Sequence, residues 1–277
     1  MIVVTGASGV IGRAVMAKLH TDNLPHVAID RVALADCASL DSLITKRPSV
    51  VIHLAAVVPQ PPAIIDDESN AKRTRIIDTK VLEAAGLWDC HVIYASGCSL
   101  FTKAGSDAWC EDKIGNEPEL NSHYLRAKLQ GEREFLASGC ATVLRISTPI
   151  GEGLSAATVL GRFMRAAKVG GKLEVWGSGT REQNYVDVKD LADAFFRAMI
   201  IRPTEIINIA ADYPCTMIDL AQKVVEVYGR GSVDLISKSD PKDGETARYS
   251  NQRAADILGW QQVTPLKDSL KCLRSVF

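Results

Sequence analysis

IVVTGASGVIGRAV, residues 2–15, is an apolar run that turns through Gly6, Gly9 and Gly12 into a helical pattern. Ile2, Val3 and Val4 suit a buried parallel strand, while Val10, Ile11, Ala14, Val15 and Leu19 recur at helical spacing. Glycines at such a turn let the main chain approach a pyrophosphate, and the free amides and dipole of the helix start attract its charge. Three glycines alone also open many ordinary helices. Here they stand between a strand and an amphipathic helix, the context a dinucleotide site requires.

Working outward, 277 residues at 47% hydrophobic can bury one large core, or a core with a smaller lobe. The formal net charge of -1 offers no basic field for nucleic acid or anionic lipid. No run of about 18 uninterrupted apolar residues is present, and no charged leader with a cleavage pattern opens the chain, so a cytoplasmic location is expected. Seven cysteines, at 37, 90, 98, 110, 140, 215 and 272, form no C-x-x-C pair. Free thiols in a reducing compartment are expected, with no metal site.

Strand candidates at His26–Asp30, Ser49–Ala55, Cys90–Ala95 and Ala141–Ser147 alternate with helical patterns at Ser39–Arg47, Glu68–Gly86 and Asn121–Ser138. Such alternation implies βαβ units and right-handed crossovers. The expected fold is α/β, a Rossmann-type doubly wound parallel sheet. After Ser147 the pattern changes: a short strand at Leu173–Trp176, a helix at Val188–Met199, a strand at Glu205–Ile209 and a helix at Met217–Tyr228. The expected division is a nucleotide-binding domain over residues 1–150 and a smaller substrate-binding lobe over 151–277, interleaved with the last sheet strands.

Asp30 ends the second strand, 24 positions after Gly6, where a carboxylate accepts hydrogen bonds from ribose hydroxyls and favours NAD. Arg31 beside it leaves NADP open, by stacking on adenine or pairing with a 2′-phosphate. Asp30 otherwise reads as a solvated loop acid. Asp36 either binds the adenine amino group or caps the helix near Ser39. Leu54, Ala55 and Ala56 end a strand with side chains that let the main chain lie beside a cofactor, and His53 reads as structural.

Tyr124 and Lys128, in YLRAK, stand four apart, so on a helix both side chains enter one cleft. Bringing a phenol from its ordinary pKa of about 10 to near neutrality takes about 4 kcal/mol. A lysine and an oxidised nicotinamide in a water-poor site can supply that. Alone, Y-x-x-x-K is a common accident and reads as a surface helix.

TGASGVIG, the terminal Asp30, HLAA, YASGCSLF, YLRAK and LGW at Leu258–Trp260 together resemble the extended short-chain dehydrogenase/reductases, and within them the NAD-dependent epimerase/dehydratase family. The resemblance runs over nearly the whole chain. It implies that Tyr124 is the acid/base and that Lys128 lowers its pKa and binds the nicotinamide ribose. It implies cofactor contacts from Gly6, Ser8, Gly9, Val10, Ile11, Gly12, Asp30, Arg31, Asp36, Cys37 and the HLAA segment, with NAD as cofactor.

The sequence departs from the family in three places. Gly97 stands where the family carries its active hydroxyl, so Ser99 or Ser96 supplies it, or both serve only as turn residues. The family's asparagine in the long central helix is replaced, with Thr74 as the nearest counterpart. The usual arginine of the substrate lobe is Gln183, leaving Arg181, Arg248 and Thr148 as further substrate-binding candidates. Cys98-Ser99, in place of an acidic pair, argues against dehydration. The resemblance implies an enzyme transferring hydride at a hydroxyl or keto carbon of a nucleotide-linked sugar. A dehydrogenase of a small hydroxy acid, lactone or hydroxy-ketone is the alternative, and a noncatalytic NAD-sensing regulator the second. A homodimer is expected through the two long helices.

Overall fold

The computed structural model describes residues 1–30, 34, 40, 44, 46–60, 64–101, 108–112 and 120–277. Strand β1 (Ile2–Thr5), buried throughout, leads through the glycine turn into α1 (Val10–Thr21) and then β2 (His26–Ile29). Next come β3 (Val50–His53), α2 (Glu68–Trp88), β4 (His91–Gly97), a 3-10 turn at Cys98–Leu100, α3 (His123–Ala137) and β5 (Ala141–Ile146). The expected helix at Ser39–Arg47 falls mostly outside the described residues.

Beyond β5 lie β6 (Thr148–Ile150), α4 (Val159–Lys168), β7 (Lys172–Trp176), β8 (Glu182–Gln183), β9 (Tyr185–Asp187) and α5 (Val188–Ile201). The chain continues with β10 (Ile206–Ile209), β11 (Cys215–Thr216), α6 (Met217–Tyr228), β12 (Ser232–Ile236), α7 (Gln252–Leu258) and α8 (Leu266–Arg274).

Six strands form one parallel sheet in the order β2-β1-β3-β4-β5-β10. The chain winds outward from β1 to β2, then returns to place β3 on the other side of β1. Side chains of successive strand residues go to opposite faces. Ile2, Val4, Ile52, Ile93 and Leu144 pack with Val15 and Leu19 of α1, Phe195 of α5 and Leu258 of α7. Val3, Val51, Val92, Tyr94 and Val143 pack on the other face with Ile77 and Val81 of α2 and Phe135 of α3. This is the doubly wound parallel sheet expected from the alternation of strands and helices. Its two faces explain why the strands read as continuous apolar runs.

A separate core, built from Leu160 and Phe163 of α4, Leu173 of β7, Leu220 and Val224 of α6 and Leu270 of α8, forms the smaller lobe. Residues beyond 151 thus supply both this lobe and α5, β10 and α7 of the main body. The LGW segment explains itself: Gly259, at φ +61, stops α7, and buried Trp260 donates its indole N–H to the Asp190 carbonyl at 2.9 Å. Asp187 caps α5 through the Lys189 amide, and Asp190 lies in the first turn. The six cysteines among the described residues are free thiols; Cys37 lies outside them. Among the described residues no helix is long and apolar enough to cross a membrane.

Candidate active site

The strand order reverses between β1 and β3, which leaves a crevice at the carboxyl ends of the strands. A cavity of about 460 Å3 opens there, lined by Ile11, Leu54 and Ala56 at one end, by Ser96, Ser99, Tyr124 and Lys128 in the middle, and by Thr148, Arg181 and Gln183 on the lobe. Sequence-separated candidates from all three roles therefore share one cleft. A larger hollow of about 610 Å3 between α1, α5 and α8 contains neither Tyr124 nor Lys128.

At the glycine end, Gly6 has φ +70, and a Cβ there would lie 2.7 Å from the Ala55 amide nitrogen. A Cβ on Gly12 would lie 2.2 Å from the Gly6 carbonyl oxygen. The main chains of β1, the HLAA segment and α1 thus meet with no room for side chains. Gly9 caps α1 with no side-chain hydrogen bond, and no acid stands in the first turn. Such a helix start keeps its amides and positive dipole end available to a phosphate. These features fit a dinucleotide. Ser8, exposed, lies on this turn, Val10 begins α1, and Asp30, exposed, follows β2. Arg31, Asp36 and Cys37 lie outside the described residues.

Tyr124 occupies the first turn of α3. The Ser122 hydroxyl accepts from the Leu125 amide at 3.1 Å, and Asp66, from the segment before α2, accepts from the Tyr124 amide at 2.9 Å. Both bonds satisfy amides that a helix start otherwise leaves open, and so fix where the phenol begins. Four residues on, the buried Lys128 ammonium lies 3.8 Å from the centroid of the Tyr94 ring. Burial holds Lys128 below its ordinary pKa, opposed by Asp78 and Glu132.

Beneath this pair is a buried polar group that sequence reasoning missed. Asp78 on α2 accepts from the Tyr94 hydroxyl at 3.0 Å, from His53 Nε2 at 3.0 Å and from Arg75 at 3.2 Å. His53 Nδ1 meets the Thr5 hydroxyl at 2.7 Å, so the imidazole is held between Thr5 and Asp78. Burial holds His53 below its ordinary pKa. Burial acts to raise Asp78, but Lys128, the His53 hydrogen bond and Arg75 hold its carboxyl below the ordinary range. Thr74, near Asp78 on α2, is buried and accepts from the Val57 amide. The signal for Asp78 was present: it falls on the same helical face as Thr74, Val81, Ala85 and Trp88, where a charge is costly without partners.

In the protein alone, burial and then the Asp78 charge hold the Tyr124 phenol above its ordinary pKa. Of the charges acting on Lys128, that of Asp78 is the strongest, and both residues meet Tyr94, Lys128 over the ring face and Asp78 at its hydroxyl.

Ser96 and Ser147 are buried, line the cleft, and their hydroxyls find no hydrogen-bond partner among the described residues. Ser99 is exposed, and its Oγ lies 3.2 Å from where a Cβ on Gly97 would stand. On the lobe, Gln183 donates to the Thr148 hydroxyl. Arg181 pairs with Asp240 at 3.3 Å, and Lys242 with Glu245 at 3.2 Å. Arg248 pairs with Glu182 at 2.8 Å and is not among the residues that line the cleft.

Residues 2–210 match the family model described as the NAD dependent epimerase/dehydratase family. The UDP-glucose 4-epimerase of Mycolicibacterium smegmatis is 23% identical over 302 residues, covering 96% of this chain and 95% of that protein. The structure of UDP-glucose 4-epimerase with UDP-glucose from Thermotoga maritima superposes with a TM-score of 0.86 at 23% identity, covering 99% of this chain and 97% of that one. The Thermus thermophilus UDP-glucose 4-epimerase complex with NAD gives 0.85 at 19% identity, again over 99% and 97%.

Proposed function

The chain belongs to the NAD dependent epimerase/dehydratase family, and from that premise we propose that it binds NAD in the cleft and transfers hydride at a hydroxyl or keto carbon of a nucleotide-linked sugar. One observation carries the reading: Tyr124, Lys128 and the serine hydroxyls open into the same cavity as Ile11 of the glycine-turn helix. Bound NAD supplies a ring carbon that accepts a hydride and can return it.

In this reading Gly6, Gly9 and Gly12 receive the pyrophosphate and Asp30 the adenosine ribose. Tyr124 removes the proton of the reacting hydroxyl as hydride leaves, and gives it back in reverse. Lys128 holds positive charge beside it. Ser99 replaces the hydroxyl that Gly97 lacks, since its Oγ already lies 3.2 Å from the missing Cβ; Ser96 Oγ, buried and without a partner among the described residues, is the second donor to the substrate oxygen. Thr148, Gln183 and Arg181 face the distal part of the substrate, and a diphosphate there draws Arg181 away from Asp240. The existing pairs of Arg181 and Lys242 with acids favour, as a second reading, a smaller hydroxylated substrate without phosphate. For quaternary structure the reading is a homodimer through α2 and α3; Ile76 and Leu87 leave apolar surface exposed on α2.

The test is a panel of nucleotide sugars and small hydroxy acids, followed by NADH absorbance together with product analysis, because an epimerase that recycles its hydride releases no NADH. Turnover of a nucleotide sugar, reduced about 10²- to 10⁴-fold in Tyr124→Phe, is the expected result. Turnover confined to small hydroxy acids selects the second reading. Undiminished turnover in Tyr124→Phe removes the acid/base role.

A further inference from the structure

The hollow of about 610 Å3 between α1, α5 and α8 is larger than the reaction cleft and has no lining residue in common with it. Its walls are mainly apolar: Val10, Ala14 and Ala17 come from α1, Val188 and Ala192 from α5, and Leu273 from α8. The three alanines are too short to fill the space between α1 and α5, although Val15, Leu19 and Phe195 of the same helices join in one buried core. Four acids and three cations stand around the hollow. Glu152 pairs with Arg13 at 3.4 Å, and Asp22 and Asp193 pair with Lys18 at 3.5 and 3.9 Å. Buried Asp187 accepts from the Lys189 amide at 2.8 Å and from the Ser269 hydroxyl at 2.6 Å. Every acid is thus engaged. Lys189, exposed in the first turn of α5, makes no side-chain hydrogen bond or ion pair among the described residues. From Arg13 to Thr21 the wall runs about 12 Å along α1, the length of a medium alkyl chain.

We propose that this hollow is a second small-molecule site, separate from the cleft, for an apolar molecule bearing one carboxylate, of the class of medium-chain fatty acids, with its head group on Lys189. The apolar walls take the chain out of water, and a few polar groups at the rim of such a pocket set the orientation of what enters. Lys189 is the group with bonds to give: its ammonium meets a carboxylate in charge-assisted hydrogen bonds. A cationic head group finds no acid on this rim that is not already engaged, and a neutral one leaves the Lys189 charge unanswered. Val10 lines the hollow and Ile11 the cleft, so the two sites meet at the start of α1 without overlapping.

The experiment is carbon-13 NMR of decanoate labelled at its carboxyl carbon, titrated with the protein in the presence and in the absence of excess NAD. The wild type should bind decanoate saturably, one per chain, and to the same extent in both conditions. Lys189→Glu reverses the charge at an exposed position and should weaken binding about tenfold, while Lys189→Arg should stay within about threefold of wild type. Ala17→Trp fills the hollow from an exposed position on α1 and should abolish binding. Should the tryptophan unfold the chain, the two Lys189 variants, which change a side chain with no partner among the described residues, decide alone. Absence of saturable binding in the wild type overturns the proposal, as does binding that is unaltered in a folded Ala17→Trp protein. Binding lost in Ala17→Trp yet unaltered in Lys189→Glu overturns the carboxylate contact and the ligand class with it. Decanoate that NAD displaces and that ignores these substitutions sits in the reaction cleft, which also overturns the second site.

Discussion

Replacing Gly12 with alanine places a methyl group 2.2 Å from the Gly6 carbonyl oxygen and 2.8 Å from the Cα and carbonyl carbon of Ala7. All three obstacles are main chain, so no rotamer change can clear them. Ordinary contact begins near 3.4 Å, so the start of α1 must retreat by about 1.2 Å. Crowding a well-packed contact in this way costs about 1–3 kcal/mol of stability. A shift of about 1 Å in groups that position a ligand costs about a hundredfold in function. Gly86→Ala is the matched control. Gly86 lies in the last turns of α2, and a Cβ there meets nothing within 4 Å. That substitution should stabilise by up to about 1 kcal/mol through helix propensity alone. Urea unfolding and NAD titration by tryptophan fluorescence read both effects. A Gly12→Ala protein with wild-type stability and wild-type NAD affinity would refute the claim that this turn seats the pyrophosphate.

Other outcomes follow from the same geometry. Glu132→Gln strips the buried Arg145 of its counter-charge and should cost about 3–5 kcal/mol in urea unfolding. Ser122→Ala and Asp66→Ala each remove one bond from the start of α3, and each should cost about 1 kcal/mol, with lower turnover because Tyr124 is less firmly placed. His91, buried beside Thr142 and near Arg202, has its pKa depressed to about 4, chiefly by burial. Between about pH 6.5 and about pH 4 the unfolded chain binds a proton that the folded chain refuses, so stability falls as the pH drops through that window. His91→Gln should flatten part of that slope in unfolding measured at successive pH values; His53, depressed in the same direction, retains the rest.

The parallel sheet was readable because β1, β3, β4 and β5 are buried, largely apolar runs with helical periods between them. The prediction for α6, Met217–Tyr228, matches the structure end to end, helped by the Thr216–Asp219 capping box. α3 begins two residues later than its apolar pattern implies because Ser122 caps it, and α2 runs two residues further, to Trp88, before Asp89 turns left-handed. The lobe was harder. β8, β9 and β11 are two or three residues long, too short for any period to show, and β12 exists by pairing with β7, some sixty positions away. α4 did carry a signal, Leu160, Phe163, Met164 and Ala167 at helical spacing, hidden between glycine-rich turns.

For the site, YLRAK and the glycine turn were legible as local spacings. Asp78 belongs to a contact network drawn from β1, β3, β4 and α2, which no window of sequence displays; only the oddity of an acid on a buried helical face pointed to it. Gly97 and Ser99 show the converse, since the sequence marks the missing hydroxyl but only the fold shows which atom stands beside the vacant Cβ position.

A crystal structure of the protein grown with NAD tests the central claim most directly. The pyrophosphate should lie against Gly9 and Gly12 at the start of α1, and the Tyr124 hydroxyl beside the hydride-accepting carbon of the nicotinamide, with Lys128 on its ribose. A dinucleotide bound elsewhere, or a nicotinamide ring that leaves the Tyr124 oxygen facing solvent, would contradict it.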